Sequence, residues 1–157
     1  MHRCLCLALL TALLAATAIA QTPSQKGGAV DPENDPSGMY SFLKEGEYLQ
    51  LTFNGGELSG FISRFGDSDS DKGQFIDQFF TKGSLNGDHL SFATKIVHGI
   101  WYEFDGTIQR QPGKQTNQEG YRVLKGTLKQ HSTDAKGADK ARERSVEFKS
   151  FPEGVSR

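Results

Sequence analysis

The chain has 157 residues, a formal net charge of −1 and 36% hydrophobic residues, with 11 phenylalanines and two cysteines. Such a length suits one domain, and the apolar share is enough to build a core. The near-neutral charge excludes the dense basic stripe of a nucleic-acid-binding protein. Charge is uneven along the chain. Gln21–Glu119 carries 8 basic against 14 acidic residues, and Gly120–Arg157 carries 9 against 5, a weak basic end that reads as solvated surface.

The first twenty residues read as a secretory signal peptide. Met1-His2-Arg3 is a short cationic start, an apolar run follows to Ala16, and Ala18-x-Ala20 fits the small-residue cleavage rule. The run is too short for a membrane span, which needs about 20 apolar residues. Export predicts a secreted or periplasmic protein with no membrane anchor after cleavage. Cys4 and Cys6 lie within this segment, so the expected mature chain lacks disulfides and thiol chemistry. Residues 21–37 are rich in Pro, Gly, Ser and Asn and predict a disordered leader. A β-domain is expected over 38–152, with a tail over 153–157.

Within that domain, period-two alternation predicts eight strands. They run approximately over Met39–Lys44, Glu47–Phe53, Glu57–Phe65, Gln74–Thr81, His89–Val97, Ile100–Gln109, Tyr121–Lys129 and Ser145–Phe151. Asn54-Gly55-Gly56 and Asn86-Gly87-Asp88 mark tight hairpins, because Asn and Gly accept the positive φ such turns require. Two longer loops remain, Arg110–Glu119 and His131–Arg144. Within the second, Asp139–Arg144 predicts one or two helical turns. Short strands joined by hairpins predict an all-β fold, a single antiparallel up-and-down barrel of about eight strands. Gly60, Gly106 and Gly126 fall mid-strand, where glycine marks a bend or close packing.

Several short stretches make the layout resemble the calycins, the eight-stranded barrels of lipocalins and avidins. These are Gly38-Met39-Tyr40, Leu49-Gln50-Leu51-Thr52, Gly56-Glu57-Leu58-Ser59-Gly60-Phe61, Phe104-Asp105-Gly106-Thr107-Ile108 and Leu124-Lys125-Gly126-Thr127-Leu128. The resemblance implies architecture and no ligand. Trp101 is the single tryptophan, whereas avidins line their biotin site with several. Phe61 stands where their motif usually has tyrosine, and Tyr40 occupies the tryptophan position of the lipocalin signature.

Chemistry-bearing residues are sparse. Asp67, Asp69 and Asp71 alternate in a way that suits Ca²⁺, but counting an EF-hand loop from Asp67 puts Lys72 at its glycine position and Gln78 at its glutamate position. A plain acidic, solvated loop is the expectation. His89, His98 and His131 show no zinc-ligand spacing, no cofactor motif occurs, and no catalytic residue is assigned. His98-Gly99-Ile100-Trp101-Tyr102-Glu103 concentrates the rare residue types.

These features predict a non-enzymatic barrel that binds a small ligand in its lumen or at its mouth. The candidate ligand-binding residues are Tyr48, Phe61, Trp101, Tyr102, Glu103 and Tyr121, only a subset of which can share one face. The runner-up is a barrel enzyme using Glu103, Asp105 or His98 as acid–base groups. A third reading is a protein-interaction module of the cell envelope that uses its sheet surface. The sequence sets no oligomeric state.

Overall fold

Alternating side chains give each strand one apolar face, and burying those faces together curls the sheet. The computed structural model describes residues 35–133 and 137–153. The expected signal peptide, residues 21–34 of the expected leader, residues 134–136 and residues 154–157 lie outside the described residues. The strands are β1 (Gly38–Ser41), β2 (Tyr48–Asn54), β3 (Glu57–Phe65), β4 (Phe75–Asn86), β5 (His89–Thr94), β6 (Ile100–Arg110), β7 (Arg122–Thr133) and β8 (Asp139–Lys149). All pair antiparallel in the order β1-β2-β3-β4-β5-β6-β7-β8. The fold is therefore all-β and up-and-down, an eight-stranded sheet curled into a half-barrel.

Turn chemistry sets the early register. Asn54 pairs with Glu57, leaving Gly55 and Gly56 as a two-residue loop with φ of +61° and +89°. That is the loop which matches the right-handed twist of a hairpin. Further along, β4 changes partners midway. Phe75–Phe79 pairs with β3 and Phe80–Asn86 with β5, with a register irregularity between Phe80 and Lys82. A bulge of this kind bends a strand.

Among the described residues, the two ends of the sheet meet at a short seam. Tyr40 bridges Ser150, Phe151 N–H donates to Met39 O at 2.8 Å, and Lys149 N–H donates to Ser41 Oγ at 3.0 Å. Tyr40 is fully buried there, and its hydroxyl donates to Pro36 O at 2.7 Å.

Inside the curl, aromatic rings form a continuous chain. Phe80 stacks on Phe92 at 4.4 Å, Phe92 on Phe104 at 5.3 Å, and Phe104 meets Phe148 at 5.9 Å. Phe148 meets Phe42 at 5.2 Å, and Phe42 meets Tyr102 edge-on at 5.4 Å. Leu49, Leu51, Ile62, Leu90, Leu124 and Leu128 fill the space around them with no exposed surface. Each such side chain contributes about 1.5–3 kcal/mol, so the interior is the main source of stability.

One expected boundary is corrected. Asp139–Arg144 is the first half of β8, not a helical turn, because Thr133 pairs with Asp139 and the ladder continues to Val123–Lys149. Cross-strand ion pairs favour this register: Lys129 lies 3.4 Å from Glu143 and Lys125 lies 3.3 Å from Glu147. Cross-strand neighbours outweigh weak local helix preference.

The curl also needs close backbone approach. Gly106 and Gly126 pair across β6 and β7. A Cβ on Gly126 would run into the Asp105 carbonyl oxygen and come within 2.6 Å of Gly106 Cα. Gly126→Ala should therefore destabilise the fold by about 1–3 kcal/mol, measured by urea denaturation. Thr52→Ala, on the exposed face of β2, should stay within about 0.5 kcal/mol.

Candidate functional site: a trough on the outer face

The strands that bury their apolar faces display the alternate side chains outward. Across β4–β8 these fall into rows. One row runs Lys82, Ala93, Glu103, Lys129, Glu143, and the next runs Ser84, Ser91, Asp105, Thr127, Ser145. Small side chains at Ala93, Ser84, Ser91 and Thr127 leave the middle of this surface low. The result is an open trough of about 1070 Å³, walled by Trp101, Ile96, Glu103, Lys129 and Glu143, with Lys82 and Lys95 at its β4–β5 side. Its size is that of a small-molecule site.

Trp101 anchors one end. It pairs across the ladder with His131, and the two rings stack at 4.6 Å with planes 6° apart. His131 Nε2 lies 3.2 Å from Glu103 Oε2, which fixes the imidazole behind the indole. The lining cations Lys82, Lys95 and Lys129 balance the lining carboxylates Glu103, Asp105 and Glu143. The trough thus combines a held indole, hydroxyl groups and no excess charge.

The six sequence candidates separate into three places. Trp101 and Glu103 share the trough. Tyr102, between them in sequence, points into the core with 2% exposure; burial pushes its phenol up to about 12. Tyr48 and Phe61 lie on the outer face of β2 and β3 with ring centroids 5.9 Å apart, and Phe61 continues to Phe79 at 5.3 Å. Tyr121 precedes β7 at the end opposite His131, its ring 5.1 Å from the Arg122 guanidinium.

Glu103 and Asp105 do not converge as an acid–base pair. Glu103 faces His131, while Asp105 Oδ1 lies 3.2 Å from His89 Nε2. Sequence reasoning missed Lys82, Lys129 and Glu143. Lys129 was legible from the alternation of the seventh strand-like segment, but Glu143 was hidden by the expected helical loop.

The acidic loop is largely solvated, as expected, with residues 67–70 and 72–75 exposed, while Asp71 turns inward to a second polar cluster. Asp71 is buried and accepts from Ser68 N–H at 2.8 Å and from Ser68 Oγ at 2.6 Å, with His98 Nδ1 at 2.7 Å. The Ser68 hydroxyl and then the His98 ring lower its carboxyl from 3.8 to about 2. An ionised carboxylate only accepts, so His98 carries its proton on Nδ1. His98 adopts φ of +51°, a left-handed conformation uncommon outside glycine.

Asp67 instead pairs with Arg64 at 3.0 Å and Lys44 at 3.2 Å. Arg64 is itself buried, with Nε donating to Gln78 Oε1 at 2.7 Å and Nη1 to Phe65 O at 3.0 Å. Asp67 and Asp71 therefore serve different partners. Among the described residues, no group of three or more His, Cys, Asp or Glu side chains is arranged to hold a metal ion.

Comparison with known proteins finds no match: no protein-family model, no curated protein and no solved structure matches the chain.

Because the folded-state value of Asp71 lies below its ordinary one, the unfolded chain binds more protons between about pH 4 and pH 2. The stability that Asp71 contributes is present above pH 4 and is lost as pH falls through 2. In thermal melts from pH 6 to pH 2, Asp71→Asn should be less stable than the parent at pH 6, and that difference should shrink toward pH 2.

Proposed function

We propose that this chain is an exported, non-enzymatic binding protein, a calycin-like sheet that holds a neutral, hydroxylated small ligand of the saccharide class in its outer trough. The carrying observation is the indole of Trp101, backed by His131 and lining a trough whose charges cancel. A stacked aromatic offers a flat apolar surface to the faces of a sugar ring. Ser84, Ser91 and Thr127 supply hydroxyls, and Glu103, Asp105 and Lys129 supply charged hydrogen-bonding groups that fix orientation. Charge balance disfavours a strongly ionic ligand. An interior occupied by buried aromatic and aliphatic side chains supports reading the site on the outer face rather than in a lumen. The N-terminal signal pattern supports export.

Trp101 is the only tryptophan in the sequence, so intrinsic emission reports directly on the trough. Titration with a panel of neutral oligosaccharides should shift or quench that emission saturably for at least one member. Trp101→Ala should weaken binding of that member at least tenfold by calorimetry. Flat emission and no heat across the panel at millimolar concentration would overturn the reading.

A second reading, the interaction module, is favoured by the exposed outer aromatics. Phe75 and Phe79 are each 53% exposed, beside Phe65 and Phe61. Phe79→Gln distinguishes the two: saccharide binding in the trough should be unchanged.

A further inference from the structure

Among the described residues, no strand covers one long edge of the half-barrel. β8 pairs with β7 over its whole length, whereas β1 reaches only the Lys149–Phe151 end. The direction of each backbone group follows from two bonds. Ser150 N–H donates to Arg122 O of β7, and Lys149 N–H turns the other way to Ser41 Oγ. Antiparallel strands alternate strictly, so the N–H and C=O groups of Ala141, Glu143, Ser145 and Glu147 face outward from the edge. Among the described residues, no strand lies beside them.

The charges on this edge are not balanced. On the outer face, Glu143 and Glu147 are already neutralised by Lys129 and Lys125. On the face continuous with Val146 and Phe148 stand Arg142 and Arg144. Arg144 Nη2 donates to Gln130 Oε1 at 3.1 Å, but its Nε is shielded from solvent and has no acceptor among the described residues. A buried donor left unpaired is unfavourable, so the Arg144 charge is incompletely compensated within the sheet.

We propose that the β8 edge docks an extended polypeptide strand bearing carboxylates at alternate positions. The added strand would bond to the outward backbone groups of Ala141–Glu147 and set its carboxylates beside the guanidinium groups of Arg142 and Arg144. A second copy of this chain is a poor occupant. Antiparallel pairing of two β8 edges about Glu143 would set Arg142 against Arg144 and Asp139 against Glu147, and like charges opposite one another are destabilising. Charged edges commonly guard against such self-pairing, and here the same cations select an acidic partner. Strand addition to a free edge is an established mode of peptide recognition.

The test uses the signal-free chain and two fluorescent eight-residue peptides, one alternating Glu and Val, the other Lys and Val. The Glu peptide should bind by anisotropy at least tenfold more tightly than the Lys peptide. Hydrogen exchange should slow at the amides of Ala141, Glu143, Ser145 and Glu147. N-methylating alternate backbone nitrogens of the Glu peptide, on the edge that faces β8, should abolish binding without altering the protein. Ser145→Pro, which removes one outward N–H, should do the same, and Arg144→Gln should weaken binding several-fold. Trp101→Ala should leave it unchanged, which separates this edge from the trough. Equal binding of both peptides, binding that survives N-methylation, or protection elsewhere than β8 would overturn the proposal, as would no binding.

Discussion

The aromatic chain through the interior is the interaction on which the rest of the structure depends. It runs from Phe80 through Phe92, Phe104 and Phe148 to Phe42 and Tyr102. The rings tie β4, β5, β6 and β8 to the segment following β1, and so hold a curl that, among the described residues, backbone pairing closes only at the short seam of Met39–Tyr40 with Ser150–Phe151. Aromatic contacts of this kind add to simple burial. They also occupy the space where a barrel would keep a ligand. On the outer face the same strands present Trp101, Glu103 and Lys129.

Polar groups brace the end of the sheet that the rings do not fill. Glu47 is buried and accepts from the backbone N–H groups of Lys44 and Phe65. Gln78, fully buried, takes one bond from Arg64 and gives two, to Lys95 O and Ile100 O. These bonds link β3 and β4 to the segment between β5 and β6. Buried polar groups are tolerated when satisfied in this way. Asp71 extends the brace by holding His98 next to the start of β6, so the acidic loop positions the strand that carries Trp101. The loop's spacing suggested a cation site or a solvated surface; most of it is solvated, and Asp71 acts as the internal clamp on His98.

Much of the fold was legible in the sequence because strands announce themselves by alternation. Tyr102, Phe104 and Ile108 on one side of β6, and Trp101, Glu103 and Asp105 on the other, follow directly from period two. The hairpins at Asn54–Glu57 and Asn86–His89 were legible for the same local reason, the left-handed freedom of Asn-Gly turns. The second half of the trough was not. Glu143 reads as part of a polar, helix-compatible run, and only its pairing with Lys129 makes it a strand residue. The bend of β4 was equally hidden, because Phe79 and Phe80 are indistinguishable by type while one faces solvent and the other the core.

By itself the sequence determined the all-β class, the up-and-down order, most strand positions and the split of side chains into two faces. Those properties depend on near neighbours, whose spacing is written in the chain. The tertiary structure alone decided that the interior is filled, that Trp101 stands before His131, and that Asp71 holds His98. It alone decided that β8 runs on from Asp139 and pairs with β7 along its whole length. Each of these depends on residues brought together from distant positions by sheet curvature, and curvature is a sum over the whole set of strands.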